Sequence, residues 1–273
     1  MQILLHAGFH KSGTTSIQRA LLRDKNADFI YPSPRKNGPG HSDIALTGQN
    51  QNSPKYDPNV LVKLINRLSK RFFFQRNSMF VLSSEDFTAT SNFEAIKRLT
   101  KEHDVHLVLT RRPVSEALPS FQQEMIKHGS AHPFLSNLGL MEAEKHIQFD
   151  IDRIHYFLNS SNFRKITVIS TTSSRPDFIF ENFNKILDAK LETRTENVGL
   201  SESVLQELTR LNSMYPNQKI SKEMRAAVNL GEAAEERSPK KTLSQTWELK
   251  EKKLADYFTA LSNEGFIEFI SAE

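Results

Sequence analysis

Four short apolar runs, residues 3–7, 79–83, 105–110 and 166–170, alternate with segments of helical period, and no other feature constrains the fold of this chain as strongly. Runs of this length without polar alternation fit strands buried on both faces. Strands separated by helices pair in parallel through crossovers, so the pattern predicts an α/β fold with a doubly wound parallel sheet flanked by helices. Helical spacing is clear in 15–23, where Ile17, Ala20 and Leu21 share a face, and in 60–74, where Leu61, Leu64, Ile65 and Leu68 do. Further helices are expected over 93–101, 114–127, 143–158, 178–187, 202–212 and 245–261. The 273 residues are read as one domain with a mainly helical C-terminal part, 200–273.

Two stretches break the alternation. Residues 32–58 are dense in Pro, Gly, Asn, Gln and Ser, which reads as a long polar loop, either covering a substrate or disordered. Residues 232–244 read as a solvated linker.

The junction of the first strand and first helix carries the chemistry. Gly8-Phe9-His10-Lys11-Ser12-Gly13-Thr14-Thr15 makes a P-loop-like strand–loop–helix unit. Amides at a helix start point outward, the dipole favours negative charge, and glycines let the backbone approach a phosphate. Thr14, Thr15 and Ser16 add hydroxyls and Lys11 adds a mobile charge. Gly8, Gly13 and Thr15 keep Walker spacing, but Thr14 stands where the Walker lysine belongs, which disfavours triphosphate chemistry.

Composition narrows the ligand. With 36 basic and 32 acidic residues the net charge of +4 is too small for a nucleic-acid binder, so a small anion is expected. Zero cysteines remove disulfides, thiolate metal sites and a cysteine nucleophile. The nine histidines show no metal spacing, and no metal is expected. The opening apolar run lacks the length and basic flank of a signal peptide, and no membrane-length run occurs; a cytoplasmic protein with no membrane partner is the expectation.

The pattern His6-x-Gly8-x-His10-Lys11-Ser12-Gly13-Thr14-Thr15-Ser16-Ile17-Gln18 resembles the 5′-phosphosulfate loop of the sulfotransferase superfamily, and most resembles its bacterial and carbohydrate-type branch. The resemblance implies 3′-phosphoadenosine 5′-phosphosulfate as donor, its desulfated product adenosine 3′,5′-bisphosphate, and a hydroxyl or amine acceptor on a carbohydrate or small molecule. His10, Lys11, Ser12, Gly13, Thr14, Thr15 and Ser16 would form the donor loop, with Lys11 neutralising the leaving phosphate.

The family's second anchor, an arginine at a strand end with a serine on the next helix for the 3′-phosphate, resembles Thr110-Arg111-Arg112-Pro113 and Ser120. The usual separation of eight fits Arg112 to Ser120, whereas the Arg-x-Pro arrangement points to Arg111, nine residues away. A bulge at Pro119 would absorb the extra residue, and both arginines stand as candidates.

For the base that takes the acceptor's proton, two residues qualify. Glu85 follows the second strand in Ser83-Ser84-Glu85, and His41 lies in the polar loop. Glu85 could instead cap a helix or act as a Walker-B-like acid, and His41 could be an ordinary exposed histidine. Two alternative functions follow: a nucleotide or small-molecule kinase, and a non-catalytic anion-binding module.

Overall fold

The computed structural model describes residues 2–9, 12–24, 29–32, 38–47, 57–72, 78–88, 93–136, 138–141, 143–145, 152, 155, 158–159, 162–192, 202–214, 245–265 and 267–272. Contacts divide the chain into two compact units. One comprises Met1–Arg112, Asp150–Glu196 and Lys253–Glu273, and the other Pro113–Phe149 and Asn197–Lys252.

The first unit is built on a six-stranded parallel sheet. In chain order its strands are β1 (Gln2–Gly8), β2 (Phe29–Ile30), β3 (Met79–Ser83), β4 (Asp104–Arg111), β5 (Lys165–Ser170) and β6 (Glu268–Ser271). In space they run β2-β3-β1-β4-β5-β6. Strand β1 lies inside, between β3 and β4, where both faces are covered. Ile3, Leu5 and Ala7 point to one core and Leu4 to the other, and all four are buried. Register aligns the carboxyl ends: His6 pairs with Ser83, Gly8 with Thr110, and Arg111 with Ser170.

Helices flank both faces. On one, α2 (Ser42–Thr47), α3 (Val60–Arg71) and α4 (Phe93–Glu102) supply Ile44, Ala45, Leu61, Ile65, Ile96 and Leu99. The opposite face is covered by α1 (Thr14–Arg23) and α6 (Phe178–Leu187), through Ile17, Ala20, Leu21, Phe178, Ile179 and Phe183. On α1, α3, α4 and α6 apolar residues recur every three or four positions, so each of these buries one stripe and leaves most of its charges to water.

The second unit includes α5 (Val114–Lys127) and α7 (Glu202–Met214). Ile126 packs with Val204, Leu205 and Leu208, and the Asn212 side-chain amide donates to the Ile126 and Ser130 carbonyls at 2.8 and 2.7 Å. This amide satisfies carbonyls left over where α5 ends. At the other end of α5 the Val114 amide donates to the Glu251 carboxylate at 2.8 Å, an acidic partner suited to a helix start. Glu251 belongs to α8 (Gln245–Asn263).

Three expectations change. Helix α5 runs without interruption through Pro119, so there is no bulge to shift Ser120 by one residue. The stretch read as a polar loop contains α2, with Ile44 and Ala45 buried; its residues 33–37 and 48–56 lie outside the described residues. Strands β2 and β6 were not expected. Of the helix expected over 143–158, the described residues are helical.

Phe258 of α8 is fully buried and stacks on Phe269 of β6 at 5.7 Å between ring centroids. Phe258→Ala removes this contact, and denaturant unfolding is expected to show a loss of about 3–5 kcal/mol. An unchanged unfolding midpoint would contradict this packing.

Candidate active site at the carboxyl edge of the sheet

The loop after β1 is shaped by two glycines. A Cβ at Gly8 would come within 2.5 Å of Thr110 Oγ1 and of Thr14 Cγ2, and 2.7 Å of Ser12 Oγ, so only glycine fits there. Gly13 has φ +87°, the left-handed region, and turns the chain into α1. The Ser16 and Ile17 amides donate to the Gly13 carbonyl at 3.1 and 3.3 Å. Gly13, Thr14 and Thr15 thus carry the first amides of the helix, those that precede its internal ladder.

Ser12 is fully buried and turns inward. Its amide and its hydroxyl both donate to the Phe9 carbonyl, at 3.3 and 2.8 Å. It shapes the loop and has no donor left for a ligand. Thr15 and Ser16 are half-buried. His10 and Lys11 lie outside the described residues.

Glu85 is brought to the loop. It opens the 3-10 turn Glu85–Thr88, which follows β3, and its carboxylate accepts a hydrogen bond from the Thr14 hydroxyl. The turn is held at several points. The Ser84 amide donates to the His6 carbonyl at 3.1 Å, Ser84 Oγ accepts the Asp86 amide at 3.1 Å, and Phe87 is fully buried. Residues 71 positions apart in sequence are thereby placed at one point.

His41 has a different setting from the one expected. It is fully buried, with Nδ1 accepting the Ser83 amide at 3.0 Å and Nε2 donating to the Pro32 carbonyl at 2.8 Å. Its own amide donates to the Ser83 carbonyl at 2.7 Å, and the Tyr31 ring meets it edge-on at 4.7 Å. It fastens its segment to the end of β3. Both ring nitrogens are engaged in doing so.

Arg111, the last residue of β4, is 2% exposed, with its guanidinium 5.9 Å from the Phe258 ring centre. Arg112 follows the strand and is half-buried. Ser120 is half-buried on α5 in the second unit. Among the described residues, no three His, Asp or Glu side chains gather as a metal site requires.

Sequence reasoning missed a chain of side chains beneath the loop. His6 is fully buried in β1, its Nδ1 2.8 Å from Ser83 Oγ and its Nε2 3.2 Å from Thr110 Oγ1, and Phe183 packs edge-on at 4.8 Å. Thr110 Oγ1 lies 2.8 Å from Ser12 Oγ. The available signal was three polar residues, His6, Ser83 and Thr110, at the ends of apolar runs. In a parallel sheet these ends share one edge.

Burial lowers the His6 pKa from 6.5 to about 3, so the ring is neutral in the folded protein. The unfolded chain takes up a proton at this position below about pH 6.5 and the folded chain does not, so acid favours unfolding. Between pH 6.5 and pH 5 the stability difference between the native protein and His6→Gln should narrow by about 1.6 kcal/mol in all, with a slope that rises towards about 1.4 kcal/mol per pH unit, read by urea unfolding. A difference that stays constant over this range would contradict a neutral His6.

Comparison of the chain with models of known protein families and with curated proteins finds no match.

Proposed function

We propose that this protein is a sulfotransferase, moving a sulfuryl group from 3′-phosphoadenosine 5′-phosphosulfate to an acceptor hydroxyl or amine on a carbohydrate or small molecule. The observation that carries the reading is the Thr14–Glu85 contact, which sets a carboxylate beside the first turn of α1. A transfer site needs that pairing of an anion-holding helix start with a proton acceptor.

The strand order supports a doubly wound, P-loop-like reading. From β1 the chain crosses towards β2 on one side of the sheet, and from β4 it crosses towards β5 on the other. Ligands of α/β sheets bind outside the carboxyl ends of strands where the connections diverge in this way. The loop after β1 stands at that place.

In the proposed mechanism the amides of Gly13, Thr14 and Thr15 and the hydroxyls of Thr15 and Ser16 hold the donor's 5′-phosphate. Lys11 is assigned the task of offsetting the negative charge that grows on the leaving oxygen. Glu85 accepts the acceptor's proton as the acceptor oxygen or nitrogen bonds to sulfur and the bond from sulfur to the phosphate oxygen breaks. The donor supplies an activated sulfuryl group.

Glu85 is favoured over His41 because both nitrogens of His41 are already engaged. With no bulge in α5, the separation of eight from Arg112 to Ser120 stands, and Arg112 is assigned to the 3′-phosphate in place of the more deeply buried Arg111.

One observation also suits a kinase, since an acid touching a loop hydroxyl is what a magnesium-bound phosphate chain requires. Ligand-linked melting separates the two. Adenosine 3′,5′-bisphosphate at ~100 times its dissociation constant should add ~2.7 kcal/mol of stability, with no comparable effect from ATP and magnesium. The reverse result favours the kinase. Nucleotide binding without transfer to any acceptor favours the non-catalytic module.

Lys11→Ala should lower sulfuryl-transfer turnover by ~10²-fold or more while leaving the unfolding midpoint near that of the native protein. Unimpaired turnover in this variant would remove Lys11 from the mechanism.

A further inference from the structure

The hydrogen bonds beneath the loop can run in one direction only. Ser12 has a single hydroxyl hydrogen, and it is given to the Phe9 carbonyl. In the 2.8 Å contact between Ser12 and Thr110, Thr110 is therefore the donor. With its hydrogen spent, Thr110 can only accept from His6, which requires the hydrogen on Nε2. A neutral imidazole carries one N–H, so Nδ1 accepts from the Ser83 hydroxyl. The order of donation is Ser83, His6, Thr110, Ser12 and the Phe9 carbonyl.

We infer that His6 is a positioning residue, which fixes the conformation of the anion loop through Thr110 and Ser12 and ties it to the segment bearing Glu85 through Ser83. Three observations support this role beyond the ring's burial. Ser83 immediately precedes Ser84 and Glu85, and the His6 carbonyl itself accepts the Ser84 amide. Ser12 sits inside the loop with its hydroxyl on the Phe9 carbonyl. At Gly8 there is no room for a side chain between Thr110, Thr14 and Ser12, so a small displacement of Thr110 is transmitted directly to the loop.

The two ring nitrogens have separable duties. Nε2 serves the loop, and Nδ1 serves the turn that bears Glu85. Glutamine places an amide near the Nε2 position and asparagine near the Nδ1 position, so His6→Gln keeps the link to Thr110 and His6→Asn keeps the link to Ser83. Thr110→Val is nearly isosteric and removes the hydroxyl that joins His6 to Ser12.

The inference deepens the sulfotransferase reading, and two measurements keep their failures apart. Titration with adenosine 3′,5′-bisphosphate should give affinity for His6→Gln within about threefold of the native protein. His6→Asn and Thr110→Val should bind about tenfold or more weakly, the loss expected when a buried hydrogen-bond link is broken. Affinities that are equal in all three variants, or that merely follow their melting temperatures, overturn the positioning role. If the native protein does not bind the nucleotide, the donor assignment fails and the nitrogen-15 spectrum of His6 decides the inference alone. At pH 7 an Nε2–H tautomer that is disturbed by Thr110→Val is the expected result, and an Nδ1–H tautomer or an imidazolium overturns the chain.

Discussion

The loop depends on the close approach of β1 to β4 at Gly8. There the backbone of one strand meets the Thr110 side chain of its neighbour in a space too tight for even a single methyl group. The contact is continued by backbone, since the Phe9 amide donates to the Thr110 carbonyl at 2.9 Å, one residue past the last β1 pairing. The chain therefore leaves β1 still held to β4 and turns only after Phe9. Gly13, at φ +87°, then redirects it into α1. Two glycines with different duties, one steric and one conformational, set the start and the end of the loop.

Polar residues below this loop are arranged so that none is wasted. Packing polar groups between two apolar cores costs stability unless each finds a partner, and His6, Ser83, Thr110 and Ser12 satisfy one another in sequence. A neutral histidine suits this place better than a charged one. An imidazolium would have to donate from both nitrogens, which would reverse the Ser83 hydroxyl, and its charge would be buried with no carboxylate of the described residues bonded to it. The same reversal would disturb the residue that precedes Ser84 and Glu85.

The sheet's interior was legible because the signal there is local. Each central strand is an apolar run long enough to be read alone, and β3 begins and ends where the run does. The edges were not legible for the same reason. Strand β2 has two residues, and β6 contributes only Phe269 and Ile270 as apolar residues within a half-exposed edge. Helix α2 was hidden by the polar residues around it; among its described side chains Ile44 and Ala45 mark the buried side. For the candidate site, the loop could be read from its glycines and hydroxyls, and Glu85 from its place after a strand. The settings of His41 and His6 could not, because the partners that define them, Ser83 for both and Thr110 for His6, come from strands 42 to 104 residues distant. Contacts of that span are fixed by the topology of the sheet.

On the proposed reading, that topology also lets an acid and an anion loop share one site without defeating each other. A carboxylate beside a helix start competes with a phosphate for the same positive end of the dipole. Glu85 is held by its own turn, through Ser84 and the buried Phe87, so its backbone does not depend on the Thr14 hydroxyl. The hydroxyl is a hydrogen donor of modest strength, and turning it to another acceptor costs one side-chain hydrogen bond. On the proposed reading, a phosphate accepting from Thr14 would take over the hydrogen bond that this hydroxyl gives Glu85. In the proposed mechanism, then, an anion settles on the helix start first and Glu85 serves the acceptor second.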